Sequence, residues 1–174
     1  ALPSDGELIV RRDNERGLTR PELAVVMAYT KNLLATELTL ALPPGDRAFD
    51  DQLLGYFPPV IGERCGHLAQ SHPLRAELVA TLIANELVNR GGVSMVHRLI
   101  GETSATAADI ARAHIAAWKM YELDDAWSAI AGLAPHVPAT VITAMQLDVA
   151  RLDCREFVQF GRQPIETLDL ADER

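Results

Sequence analysis

What most constrains this chain is a helical apolar period that restarts after each proline or glycine stop. In LTRPELAVVMAYTKNLLATEL, Thr19 and Glu22 stand at capping-box spacing, and Pro21 falls in a first turn, where its missing N–H has no intrahelical partner to lose. The spacing predicts a helix from about Arg20, with Leu23, Val26, Met27, Thr30, Leu34 and Leu38 on its buried face. LPPGD at 42–46 stops it. Residues 50–57 then predict two helical turns and residues 60–70 a further brief helix; residues 73–90 predict a long central one that opens on Pro73 and stops at Gly91 and Gly92.

Beyond that stop, VSMVHRLIGE predicts a shorter amphipathic helix with Val93, Val96, Leu99 and Ile100 on one side. Thr106 and Asp109 repeat the capping spacing ahead of a stripe of Ala107, Ile110, Ala111, Ala117, Trp118 and Tyr121, whose alanines predict close approach of a neighbouring helix. A short segment over 124–132 carries Trp127 and Ile130, and a last helix starts near Pro138 with Val141, Met145, Val149 and Leu152 in register. No stretch alternates with period two between turn residues, and no fixed-period repeat occurs. The expected fold is all-α: an irregular bundle of about six to eight helices around a central buried helix near 73–90. Residues 1–17 read as a linker or extension, 18–162 as the helical domain and 163–174 as a tail. The polar, linker-like start, without an initiator Met, reads as the interior of a longer chain.

The formal charge of −8 argues against a nucleic-acid partner, whose affinity would come from Lys and Arg neutralising phosphates. No apolar run approaches the roughly 20 residues that cross a bilayer. Cys65 and Cys154 form no Cys-x-x-Cys pair and no secretory signal precedes them, so the expected setting is cytoplasmic.

Chemistry-bearing residues concentrate in NELVNR at 85–90. On a helix apolar nearly all round, Asn85 and Asn89 project on the face of Leu74, Leu78 and Leu82, while Glu86 and Arg90 continue the adjoining Val79 and Ile83 side. Such groups lose water and need partners, at roughly 1–3 kcal/mol each if they find none. One reading is that Asn85, Glu86, Asn89 and Arg90 bond to neighbouring helix ends or loop carbonyls and set packing register. The other is that Asn89 and Arg90, joined by Arg98, contact another domain or an anion beside the Gly pair. Elsewhere, Cys65, His67 and His72 match no common zinc spacing. Asp50–Asp51 and Asp124–Asp125 open helices, where carboxylates complement the dipole. His97, His114 and His136 require no special role, and Lys31 and Lys119, the only lysines, match no catalytic pattern. With no phosphate-binding glycine loop and no Gly-x-Ser-x-Gly elbow, the residues alone specify no active site, cofactor site or metal site.

Two long strings carry a resemblance: GLTRPELAVVMAYTK at 17–31 and ATLIANELVNRGGVSMVHRLIGETSATAADIARAHIAA at 80–117, with YFP at 56–58 between them. They resemble the C-terminal helical region of the large bacterial NAD-specific glutamate dehydrogenases. That resemblance implies a multidomain parent that oxidatively deaminates L-glutamate with NAD. It further implies as partners an upstream catalytic domain, other copies in a homo-oligomer, and a small forkhead-associated regulatory protein. Met95 departs from the family pattern, which more often has an aromatic there. None of the family's catalytic lysines, its aspartate or its dinucleotide-binding unit has a counterpart here, so the implied role is a non-catalytic domain for packing, assembly or regulation. The alternative is a free-standing helical module that binds a partner helix in a groove lined by Leu, Val and Met.

Overall fold

The computed structural model describes residues 2–43 and 45–151. Among the described residues the chain is helical and without strands, with α1 (Asp5–Asp13), α2 (Arg20–Ala41), a 3-10 turn (Arg47–Phe49), α3 (Asp50–Tyr56), α4 (Pro59–Ala69), α5 (Arg75–Gly91), α6 (Met95–Thr103), α7 (Ala107–Met120), α8 (Leu123–Gly132) and α9 (Ala139–Arg151). The helix beyond the expected six to eight is α1, inside the stretch read as an extension. Its Ser4–Glu7 capping box explains why it forms, while none of its residues is buried. Arg11 ties it to the start of α2 through a 2.8 Å ion pair with Glu22.

The long α2 lies against α5, which also meets α3, α6, α7 and α9. Val79, Ala80, Ile83, Ala84, Leu87 and Val88 of α5 are buried, and Leu34, Leu38, Phe49, Leu53, Leu99 and Ile110 close around them. Small residues let α7 come close: Ala107, Ala108, Ala111, Ala113 and Ala117 are all buried, as the alanine stripe predicts. At about 25 cal/mol per Å² of apolar surface removed from water, this continuous core is the main stabilising term. No helix among the described residues is long and apolar enough to cross a membrane.

Both capping boxes expected from the sequence form. The Thr19 N–H donates to Glu22 at 2.7 Å, and Thr106 and Asp109 exchange reciprocal bonds. Four local expectations need correction. α5 begins at Arg75, because residues 73 and 74 are held in a turn in which the Leu74 N–H donates to His72 Nδ1 at 3.1 Å. Leu74, Leu23 and Tyr121 are exposed, although the helical period sets each on an apolar stripe. On α9 it is Ile142 that is buried, and Val141 points outward. Finally, the helix stop is made by Gly92 alone, at φ 83 and ψ 173, a region open essentially only to glycine. Gly91 is still helical, and a Cβ there would collide with Met95, whose thioether fills that space. The expected Leu152 of the α9 stripe and the tail at 163–174 lie outside the described residues.

Candidate functional site

Of the candidate residues on α5, Glu86 and Arg90 enter one polar cluster. The Arg90 guanidinium stacks on the Trp118 ring of α7, 4.0 Å from its centroid, and lies 6.0 Å from that of Trp127 on α8. Its Nη2 donates to Asp124 Oδ1 at 2.9 Å, and the Trp118 indole N–H donates to the same oxygen at 2.9 Å. Glu86, one turn earlier, is 3.8 Å from Arg90 Nε and 3.7 Å from His114 Nε2. His114 is 2% exposed and packs its ring 5.0 Å from that of Trp118.

Burial alone would raise the Asp124 carboxyl, yet the bonds from Trp118 and Arg90 outweigh it and hold its pKa below the ordinary value. Arg90 Nη1 is buried without an acceptor among the described residues, so the cation is held at least as much by ring faces as by hydrogen bonds. The cluster therefore joins α5, α7 and α8.

The remaining candidates lie apart from it. Asn85 is half-buried and Asn89 exposed, and no hydrogen bond between described residues uses either amide. Arg98 points outward from α6 and pairs with Glu102 one turn on, at 3.2 Å. Arg90 is thus engaged with α7 and α8, and Arg98 with its own helix.

A second cluster escaped the sequence reading. Arg75, 8% exposed, donates from Nη2 to the Asp46 carbonyl at 2.6 Å and to Asp50 Oδ1 at 2.7 Å. The same Asp46 accepts a two-pronged contact from Arg112 of α7, at 2.9 and 2.8 Å, and caps the 3-10 turn through the Ala48 N–H. Gln70 completes the shell of Asp50 at 2.8 Å, and Lys119 reaches Asp51 at 2.5 Å. Desolvation works to raise Asp50, but the bonds from Arg75, Gln70 and Arg47 hold it below its ordinary value. Asp50 and Asp51 do open α3, and Asp124 and Asp125 open α8, as expected for helix-start acids. Asp50, Asp51 and Asp124 additionally pair with cations on distant elements. Arg75 and Asp46 line a cleft of about 240 Å³ between the 42–49 loop and α5, where Asp50 and Asp46 already match the cationic charge.

Chemically, both clusters are suited to fixing helices relative to one another. Neither presents a nucleophile beside a base, and among the described residues no three His, Cys, Asp or Glu side chains are grouped to hold a metal.

A family model described as glutamate dehydrogenase, C-terminal, matches residues 15–173. The chain is 38% identical over 162 residues to an NAD-specific glutamate dehydrogenase of Halomonas elongata, covering 93% of this chain and 10% of that protein. It is 35% identical to the enzyme of the same name from Pseudomonas aeruginosa, over 98% of this chain and 10% of the relative. Against that of Mycobacterium tuberculosis it is 33% identical, over 87% and 9%. The chain spans about a tenth of the length of these relatives.

Proposed function

This chain belongs to the glutamate dehydrogenase C-terminal family, and from that premise we propose that it is the non-catalytic helical domain of an NAD-specific glutamate dehydrogenase. In this reading the parent converts L-glutamate, NAD⁺ and water to 2-oxoglutarate, ammonium, NADH and a proton. The domain braces the catalytic part of the same polypeptide and takes part in assembly or regulation. Its partners are that catalytic domain, further copies in a cytoplasmic homo-oligomer, and a small forkhead-associated regulatory protein.

The observation that carries the reading is the use made of the candidate side chains. Arg90 of α5 pairs with Asp124 of α8, Glu86 lies 3.7 Å from His114 of α7, and Arg75 and Arg112 pair with Asp50 and Asp46, so these side chains are engaged in holding one element against another. Among the described residues no strand leads through a glycine-rich turn into a helix N-terminus, the arrangement that receives a pyrophosphate. The free-standing interaction module is disfavoured, because the family match runs through nearly the whole chain and the relatives are long enzymes.

Glutamate-dependent NADH formation tests the proposal. The full-length protein should turn over and residues 1–174 alone should not. Turnover by the segment alone, or a full-length protein inert toward glutamate and NAD, would overturn it.

A further inference from the structure

Helix α2 is apolar on two opposite sides. Leu34 and Leu38 enter the core beside α5. On the far side, at about 100° per residue, Val25, Tyr29, Leu33 and Leu40 fall within a sector roughly 80° wide. Tyr29, Leu33 and Leu40 are 64%, 71% and 84% exposed. Between Val25 and Leu40 the only other residue in that sector is Thr36, so the face carries no charge along its length, in a chain that is 23% charged. A solvated helix face carries polar and charged groups, and a helix apolar on both sides is one that other elements cover from both sides.

We propose that this outer stripe of α2 is the seat of an apolar segment of the parent polypeptide lying outside residues 1–174. The inference rests on the reading of the chain as one domain of a longer enzyme, and it names the surface through which the domain is held. Two observations choose this occupant over a second copy of the chain. The matched relatives are about ten times longer than this stretch, so most of the parent is available to cover it. The stripe is also narrow: a patch of one helix width offers a few hundred Å², against about 800 Å² per partner in a stable interface between separate chains. A tethered segment faces no such demand, because its effective concentration is on the order of millimolar for a short flexible connection.

The test uses the full-length enzyme with two single changes, Leu33→Cys and Tyr29→benzoylphenylalanine, the second being a photo-crosslinking side chain. Maleimide should react with the Leu33→Cys thiol at least about ten-fold more slowly in the native enzyme than in urea, as for a group released only by local opening. Irradiation of the Tyr29 variant should yield a crosslinked peptide from outside residues 1–174. Equal thiol reactivity in the native and unfolded enzyme would overturn the proposal, and so would a crosslink to α2 of a second copy or to another part of residues 1–174. Turnover is read separately: an unreactive wild type with a protected α2 face would remove the enzyme assignment and leave the docking surface standing.

Discussion

Replacing Arg90 by alanine probes the best-defined element of the bundle. The guanidinium lies 4.0 Å from the Trp118 centroid with its side chain 24% exposed, and a partly desolvated cation over tryptophan contributes about 1–2 kcal/mol. Its bond to Asp124 is worth less than the 2.9 Å distance suggests, because that carboxylate is 72% exposed and solvent screening leaves roughly 0.5 kcal/mol. Loss of the aliphatic stem against the aromatic pair adds about 1 kcal/mol. Removing Nη1, which has no acceptor among the described residues, returns part of a desolvation cost of roughly 1–3 kcal/mol. The net destabilisation of Arg90→Ala is therefore about 2 kcal/mol, or a fall in Tm of roughly 4–8 °C for a domain of this size. Urea unfolding of the single variants Arg90→Ala, Trp118→Leu and Asp124→Asn and their doubles separates the terms. Coupling of Arg90 to Trp118 should be about 1 kcal/mol and exceed its coupling to Asp124. If Arg90→Ala melts within about 0.5 kcal/mol of wild type, or if the Asp124 coupling is the larger, the account of this cluster is wrong.

The other predictions concern backbone, buried charge and pH. Gly92→Ala must hold φ 83 and ψ 173 with a Cβ, and should lose about 1–3 kcal/mol in urea unfolding; an unchanged midpoint would mean the stop tolerates another conformation. Arg75→Met leaves Asp50 and the Asp46 carbonyl without their 2.7 and 2.6 Å donor, and calorimetry should show a loss of about 3 kcal/mol, larger than for Arg98→Met, whose ion pair is at the surface. Glu22 is lowered from 4.5 to about 2, first by the Arg11 hydrogen bond and then by the Thr19 N–H. A depressed carboxylate stabilises the fold above its unfolded pKa, and that contribution is lost as pH falls through its folded value. Wild-type stability should thus decline more than that of Glu22→Gln between pH 4.5 and about 2, and parallel acid profiles would refute the Arg11–Glu22 tie.

How much of this was legible beforehand depends on the range of the interaction. Capping boxes at Thr19 and Thr106 are strings of four residues, so they announce α2 and α7 directly. The same box at Ser4 is less legible, because Leu8, Ile9 and Val10 are consecutive and form no i, i+3, i+4 stripe. The hydrogen-bond partners of Arg75 and Arg90 are 25 to 34 positions away, and nothing in a local pattern says which carboxylate a buried arginine will find. Sequence singled out 85–90 as chemically unusual for a helix apolar nearly all round, and Glu86 and Arg90 do enter one cluster. The period sets Asn85 and Asn89 on one face and Glu86 and Arg90 on the next, but a rotation of a fraction of a turn decides which of the two faces α7 and α8. Asp50 and Asp124 illustrate the same limit: each fits its local helix start while its decisive contacts come from elsewhere in the chain.

The central claim is that these residues lock helices together while bond-making takes place in another part of the parent. Steady-state kinetics of the full-length enzyme and its Arg90→Ala variant, well below both melting points and paired with calorimetry, test it most directly. The account predicts KM values for glutamate and NAD unchanged within about two-fold while Tm falls. A KM for NAD raised about ten-fold or more at an unchanged Tm would place this cluster in contact with the cofactor and contradict it.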